Sequence, residues 1–177
     1  MKQINAARRV AAPVLALALV ALCAASCWLY SFSGTSIQPD VKTIYIEPVI
    51  NNAMKINPSL ANQFHEALCD KYKRLTKLQQ VEEEEEGDLY VKATIESYQV
   101  AATAITADEV AAMNRLTVTV KVKFVNVKYP EDNFEKSFAG YEDYDSNNSL
   151  DQVEGTLCEA IVEKIIEDIF NATVANW

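Results

Sequence analysis

The 177-residue sequence holds a single histidine, four cysteines, four glycines and five prolines. One histidine excludes a zinc site built on two imidazoles, and glycines scattered at 34, 87, 140 and 155 leave no glycine-rich loop to cradle a phosphate. No nucleophile-elbow sequence occurs, so His65, set in an ordinary helical pattern, has no hydrolase framework around it. Half of the residues are apolar and 23% are charged, which argues against disorder, collagen and a disulfide scaffold. A chain of this length predicts one domain that buries roughly two-thirds of its unfolded surface.

The first segment has the layout of an export signal. Lys2, Arg8 and Arg9 form a basic start, and residues 10–22 are an apolar run interrupted only by Pro13. Such a run is too short for a stable membrane span and fits a secretory core. It ends in Leu22-Cys23-Ala24-Ala25-Ser26-Cys27. Signal peptidases require small residues before the cut, so cleavage before Cys27 is acceptable and cleavage before Cys23 is not. The pattern resembles a bacterial lipobox, with Ala24 where leucine is usual. Cys27 would then be the lipidated first residue of the mature chain, with residues 1–26 removed; ordinary secretion with a plain thiol at Cys27 is the alternative. More than one acyl chain makes such anchoring lasting.

Removing residues 1–26 takes away three cations and no anions, leaving 13 bases against 25 acids, a net charge of −12. That balance opposes non-specific binding to nucleic acid or anionic lipid surfaces. The lipid, not the protein surface, must supply attachment.

Residues 27–40, polar and aromatic with Gly34 and Pro39, read as a tether, and residues 41–177 as a single α/β sandwich domain. Residues 41–47 form a β-branched strand closed by Pro48. Asn57-Pro58 starts a helix whose apolar stripe is Leu60, Phe64, Ala67, Leu68, Tyr72 and Leu75. Residues 89–100 and 116–127 alternate apolar and polar with a period of two, the pattern of antiparallel strands with one packed and one wet face. Residues 134–144 form a further strand after the turn Tyr129-Pro130-Glu131-Asp132-Asn133. The last helix starts near Asn148-Ser149 and buries Leu150, Val153, Leu157, Ile161, Ile165 and Ile169. The predicted class is α+β: two helices on one face of a roughly four-stranded, mixed and mostly antiparallel sheet, in the order β-α-β-β-β-α.

The other sheet face is left uncovered. It is expected to carry Arg115, Lys121 and Lys123 among Thr94, Thr117 and Thr119, with Tyr90 and Tyr98 on the neighbouring strand. Composition does not separate a solvated face from a docking surface for a partner or a phosphorylated ligand. The connection over residues 101–113 is more apolar than a hairpin tip requires, which suits strand extension or contact with a partner. The glutamates at 82–86 read as a solvated connection, because one contiguous block lacks the spaced ligands of a calcium loop. Cys69 lies off the apolar stripe of its helix and Cys158 near that of the other. A disulfide between them is conceivable; a bystander thiol and a small buried hydrophobe fit better.

Several segments in order carry a family resemblance: the lipobox cysteine with Tyr30-Ser31-Phe32-Ser33-Gly34, the strand Asn114-Arg115-Leu116-Thr117-Val118-Thr119-Val120, the stretch Tyr141-Glu142-Asp143-Tyr144-Asp145, and Glu167-Asp168-Ile169-Phe170-Asn171 through Asn176-Trp177. Over essentially the whole mature length the chain resembles the lipopolysaccharide-assembly lipoprotein family LptE, in its Bacteroidetes form. The resemblance implies a non-enzymatic outer-membrane component facing the periplasm, anchored by acyl chains such as palmitate on Cys27. It also implies an LptD-type β-barrel as the partner that the protein plugs and helps to assemble, with lipopolysaccharide as ligand. No cofactor beyond the covalent lipid, no metal and no nucleic acid are expected. By strand position, the candidate lipopolysaccharide or barrel contacts are Arg115, Lys121, Lys123, Thr117, Thr119 and Tyr98. The alternatives are an accessory periplasmic lipoprotein of another envelope transporter and a small hydrolase using His65.

Overall fold

The computed structural model describes residues 37–54, 57–103 and 113–174. The expected signal at 1–26, Cys27, the tether up to residue 36, the core of the 101–113 connection and the end at 175–177 lie outside the described residues.

Strand β1 (Thr43–Ile46) buries Ile44 and Ile46. Pro48, without an N–H, interrupts it, and pairing resumes as the two-residue β2 (Ile50–Asn51). The backbone N–H groups of Glu47 and Asn52 donate to Val91 O and Ile95 O on either side of this break, at 2.9 and 2.8 Å. Helix α1 (Leu60–Leu75) follows. The cap expected at Asn57 falls at Ser59 instead, with regular helix from Leu60; Asn57 lies one turn earlier, its Oδ1 accepting the Ser59 N–H at 3.1 Å. Leu60, Phe64, Leu68 and Tyr72, one per helical turn, are buried. Leu75, expected on the same stripe, closes the helix and is half exposed.

The short β3 (Gln79–Val81) leads through a 3₁₀ turn at Glu84–Glu86 into three long strands: β4 (Leu89–Ala102), β5 (Met113–Asn126) and β6 (Phe134–Asp145). Helix α2 (Leu150–Val174) is the last described element. The sheet runs β3-β1-β4-β5-β6, with β2 also on β4. β1 pairs in parallel with β3 and β4, while β4-β5-β6 is an antiparallel meander. Among the described residues the sheet therefore has six strands where the sequence predicts about four. The two additional ones, of two and three residues, are too short for an alternating pattern to register.

Both helices cover one face. Strand residues Val91, Ile95, Leu116, Val118, Val120 and Val122 meet Phe64, Leu68, Ile161, Ile165 and Ile169 in one core. Gly140 on β6 permits the close approach of α2: a Cβ there would lie 2.9 Å from Ile165 Cγ1 and 3.2 Å from the Ile161 carbonyl. Tyr72 joins the helices, its hydroxyl 2.5 Å from Thr173 Oγ1 and its ring tilted against Phe170. Burial pushes the Tyr72 phenol well above its usual range, although the bond to Thr173 opposes this. Cys69 and Cys158 are both free thiols, the first half-buried and the second buried in the core. No disulfide joins them.

The alternation of β4 breaks once. A bulge between Ile95 and Ser97 adds one residue to the strand, so that Glu96 stays outside and Tyr98 turns inward. Tyr98, expected on the wet face, is 4% exposed and donates from its hydroxyl to Glu154 on α2. A strict period of two assigns it to the wrong face because a one-residue insertion inverts every position beyond it.

Candidate functional site

The face opposite the helices presents Tyr45 from β1, Tyr90, Lys92, Thr94 and Glu96 from β4, Arg115, Thr117, Thr119, Lys121 and Lys123 from β5, and Glu135, Ser137, Tyr141 and Asp143 from β6. The five β5 candidates thus occupy successive outward positions of one strand, as their alternation predicts. Arg115, Thr117, Thr119 and Lys121 are half-buried by cross-strand neighbours, and Lys123 is exposed. Tyr98 is separated from them by the sheet.

Three of the four bases of this face meet an acid. Arg115 stands opposite Asp143 and donates from Nε and Nη2 to the two carboxylate oxygens at 2.7 and 2.8 Å. Its guanidinium lies 3.9 Å from the Tyr141 ring centroid. The hydrogen bond with Asp143 holds the guanidinium above, and the carboxylate below, their ordinary ranges. Lys121 pairs with Glu135 at 2.5 Å, and Lys92 with Glu47 at 2.7 Å. Tyr90 also donates to Glu47 and stacks on Tyr45 at 5.7 Å. Burial works to raise the Glu47 carboxyl, but Lys92 and Tyr90 outweigh it and leave the group below its ordinary value.

The sequence pattern singles out Arg115, Lys121 and Lys123 but neither Lys92 nor the partners Glu47, Glu135 and Asp143. Strand register sets those meetings: for Arg115–Asp143 and Lys121–Glu135 its sequence signal is the position of the turn between β5 and β6, and Lys92–Glu47 depends on the parallel β1-β4 pairing. Among the described residues, Lys123 is the one base of this face without an ion pair. It lines a shallow concavity of about 370 Å³ with Tyr90, Lys92, Thr94, Glu96, Lys121 and Glu135. The face is therefore nearly neutral and threonine-rich, and Lys123 at this concavity is its one base outside the ion pairs. By contrast, the outer side of α2 exposes Glu159, Glu163, Glu167 and Asp168.

Among the described residues no helix is long and apolar enough to cross a membrane. A family model described as "LptE: Lipopolysaccharide-assembly" matches residues 41–173. No protein with a curated description matches the chain. Among solved structures, a homologue of a neuraminyllactose-binding hemagglutinin from Helicobacter pylori superposes with a TM-score of 0.53 at 13% identity, over 79% of this chain and 87% of that one. A Xanthomonas campestris protein gives 0.51 at 6% identity, over 75% and 85%. A minor lipoprotein from Acinetobacter baumannii gives 0.46 at 12% identity, over 73% and 89%. At such identities the first two likenesses are of fold alone.

Proposed function

The chain belongs to the LptE lipopolysaccharide-assembly family, and from that premise we propose that it is a lipid-anchored, non-enzymatic plug and assembly partner of an LptD-type outer-membrane β-barrel, and that it binds lipopolysaccharide. Lipopolysaccharide assembly belongs to the Gram-negative envelope. Within it, the proposed place is the periplasmic side of the outer membrane, with acyl chains on Cys27 in the inner leaflet and residues 27–40 as the tether.

The open sheet face carries this reading. Barrel interiors are polar, and a plug entering one must not strand unpaired charge away from water. Arg115, Lys121 and Lys92 already hold Asp143, Glu135 and Glu47, so this face can be covered without leaving those charges alone. Thr94, Thr117 and Thr119 supply hydroxyls that donate or accept as the wall requires. The helical side suits contact with anionic glycolipid less well, because its exposed acids repel phosphate. Phosphate contact instead falls to Lys123 at the concavity, supported by Lys121 and Lys92.

The test is a pull-down from detergent-solubilised envelopes with identification of the partner. A stoichiometric complex with a very large outer-membrane barrel is the expected result, and a partnerless protein overturns the proposal. Recovery of another envelope transporter's subunit instead would assign the protein to that machine. Cys27→Ser should leave the domain folded and release it from the membrane fraction; retention there removes the lipid anchor from the account.

A further inference from the structure

Strand β6 is an edge of the sheet. Among the described residues it pairs with β5 alone, along its whole length, whereas the strand at the opposite edge, β3, has only three residues. Lys164 Nζ on α2 reaches the Tyr141 carbonyl at 3.4 Å, so this carbonyl points away from β5. Backbone direction alternates along a strand, and residues 135, 137, 139, 141 and 143 therefore turn their N–H and C=O groups to the free edge. Such a row is a template for another strand. Charges at Glu135 and Lys136 protect its start, but β6 contains no proline and its middle, Ala139-Gly140, is low. A concavity of about 600 Å³ runs beside that stretch, with Ala139, Gly140 and Tyr141 on one wall and Ala160, Glu163, Lys164, Glu167 and Asp168 of α2 on the other. Lys71 holds Glu167 and Glu142 holds Lys164, but among the described residues neither Glu163 nor Asp168 has an ion pair.

We propose that the β6 edge takes up an extended segment of a partner protein as an added strand, one that carries basic side chains at alternate positions. Its backbone pairs with the outward groups of residues 137–143, and its side chains alternate between the two faces of the sheet. Those on the helix side lie along Glu163 and Asp168, where bases complete the unpaired acids. Those on the open side lie beside Ser137, Ala139 and Tyr141, as cross-strand neighbours. An incoming N–H replaces Lys164 at the Tyr141 carbonyl, and Glu142 keeps the ammonium. A second copy of the chain is the poorer occupant: pairing β6 with β6 about a two-fold axis sets the acidic sides of two α2 helices against each other. The interface uses the edge and not the open face, so it stands whether or not that face meets a barrel wall.

The test is fluorescence anisotropy of a labelled peptide of alternating lysine and valine, long enough to span residues 137–143, titrated with the purified full-length protein at one low ionic strength. Saturable binding at one peptide per chain is expected, and none for a peptide of alternating glutamate and valine. The lysine peptide N-methylated at every residue keeps its charge but has no N–H to donate, and it should not bind. Ala139→Pro removes an outward N–H and no bond of the β5 ladder, and should abolish binding. Glu163→Gln combined with Asp168→Asn should weaken it several-fold. Circular dichroism establishes that the variants are folded; if Ala139→Pro is not, the N-methylated peptide and the double variant decide. Absence of binding to the wild type, equal binding of the N-methylated peptide, or unchanged affinity in folded Ala139→Pro or in the double variant overturns the proposal. So does a dimer in sedimentation that Ala139→Pro dissolves, which would give the edge to a second copy.

Discussion

Arg115 grips Asp143 through two parallel N–H···O bonds of 2.7 and 2.8 Å across the β5-β6 ladder. This bidentate fork is the strongest geometry a guanidinium makes with a carboxylate, and the Tyr141 ring covers the cation from one side. An arginine on a polar strand face reads from sequence as a phosphate ligand; here it is a cross-strand clasp. Lys123, eight residues along the same strand, is the base left available.

Lys123→Ala should therefore weaken lipopolysaccharide binding more than Arg115→Ala. A charge-assisted hydrogen bond contributes about 1.5–3 kcal/mol, so the loss for Lys123→Ala is of the order of tenfold or more in affinity. Titration of both variants against lipopolysaccharide at one fixed ionic strength decides. A larger loss for Arg115→Ala would mean that the arginine leaves Asp143 to meet the ligand.

Tyr98 gives a test of the bulge. Its ring is in the core and its hydroxyl reaches Glu154, so Tyr98→Ala should destabilise the fold by about 3–5 kcal/mol and Tyr98→Phe by about 1 kcal/mol. Tyr90→Ala, on the open face, should lose clearly less. Urea denaturation of the three variants measures this, and comparable losses for Tyr90→Ala and Tyr98→Ala would place both side chains on one face.

Element identity was readable because α1, β4, β5 and α2 keep their periods over many residues. Leu116, Val118, Val120, Val122 and Phe124 are buried as their alternation predicts. Tyr98 was not readable, since nothing in Ile95-Glu96-Ser97 spells a bulge. The charge state of the open face was equally hidden. Arg115 and Asp143 are 28 positions apart, and only the register of two strands makes them neighbours. Sequence thus located the bases, and pairing decided which of them is free to act.

The two helix-side glycines should respond in opposite directions. At Gly140 an added Cβ meets Ile165 Cγ1 at 2.9 Å and Ile161 Cγ2 at 3.1 Å, so Gly140→Ala overpacks the β6-α2 contact and should destabilise by about 1–3 kcal/mol. Gly155, inside α2, has nothing within 4 Å of the new carbon. Gly155→Ala should stabilise by roughly 0.5–1 kcal/mol through helix propensity alone. Denaturation midpoints that move the same way for both would mean that α2 does not lie against Gly140.

Acid sensitivity should centre in part on Asp88, at the start of β4. Its Oδ2 accepts the backbone N–H groups of Lys42 at 2.7 Å and Thr43 at 3.3 Å, and its Oδ1 lies 3.0 Å from Lys128 Nζ. Burial works to raise this carboxyl, but the Lys42 N–H, the Lys128 ammonium and the Thr43 N–H outweigh it, and the folded value falls below the ordinary one. A carboxyl depressed on folding contributes stability that is fully present above its unfolded value, near pH 4, and is lost as the pH falls through the folded value. Glu47, Glu135 and Asp143 are depressed as well, so the wild type should lose stability on acidification from several sites at once. Comparison with Asp88→Asn isolates one of them, because the other three carboxyls titrate alike in both proteins. Urea midpoints taken from about pH 7 to about pH 3 should fall more steeply for the wild type, the two curves converging at the acid end. Parallel curves would mean that the Asp88 clasp carries no proton-linked stability.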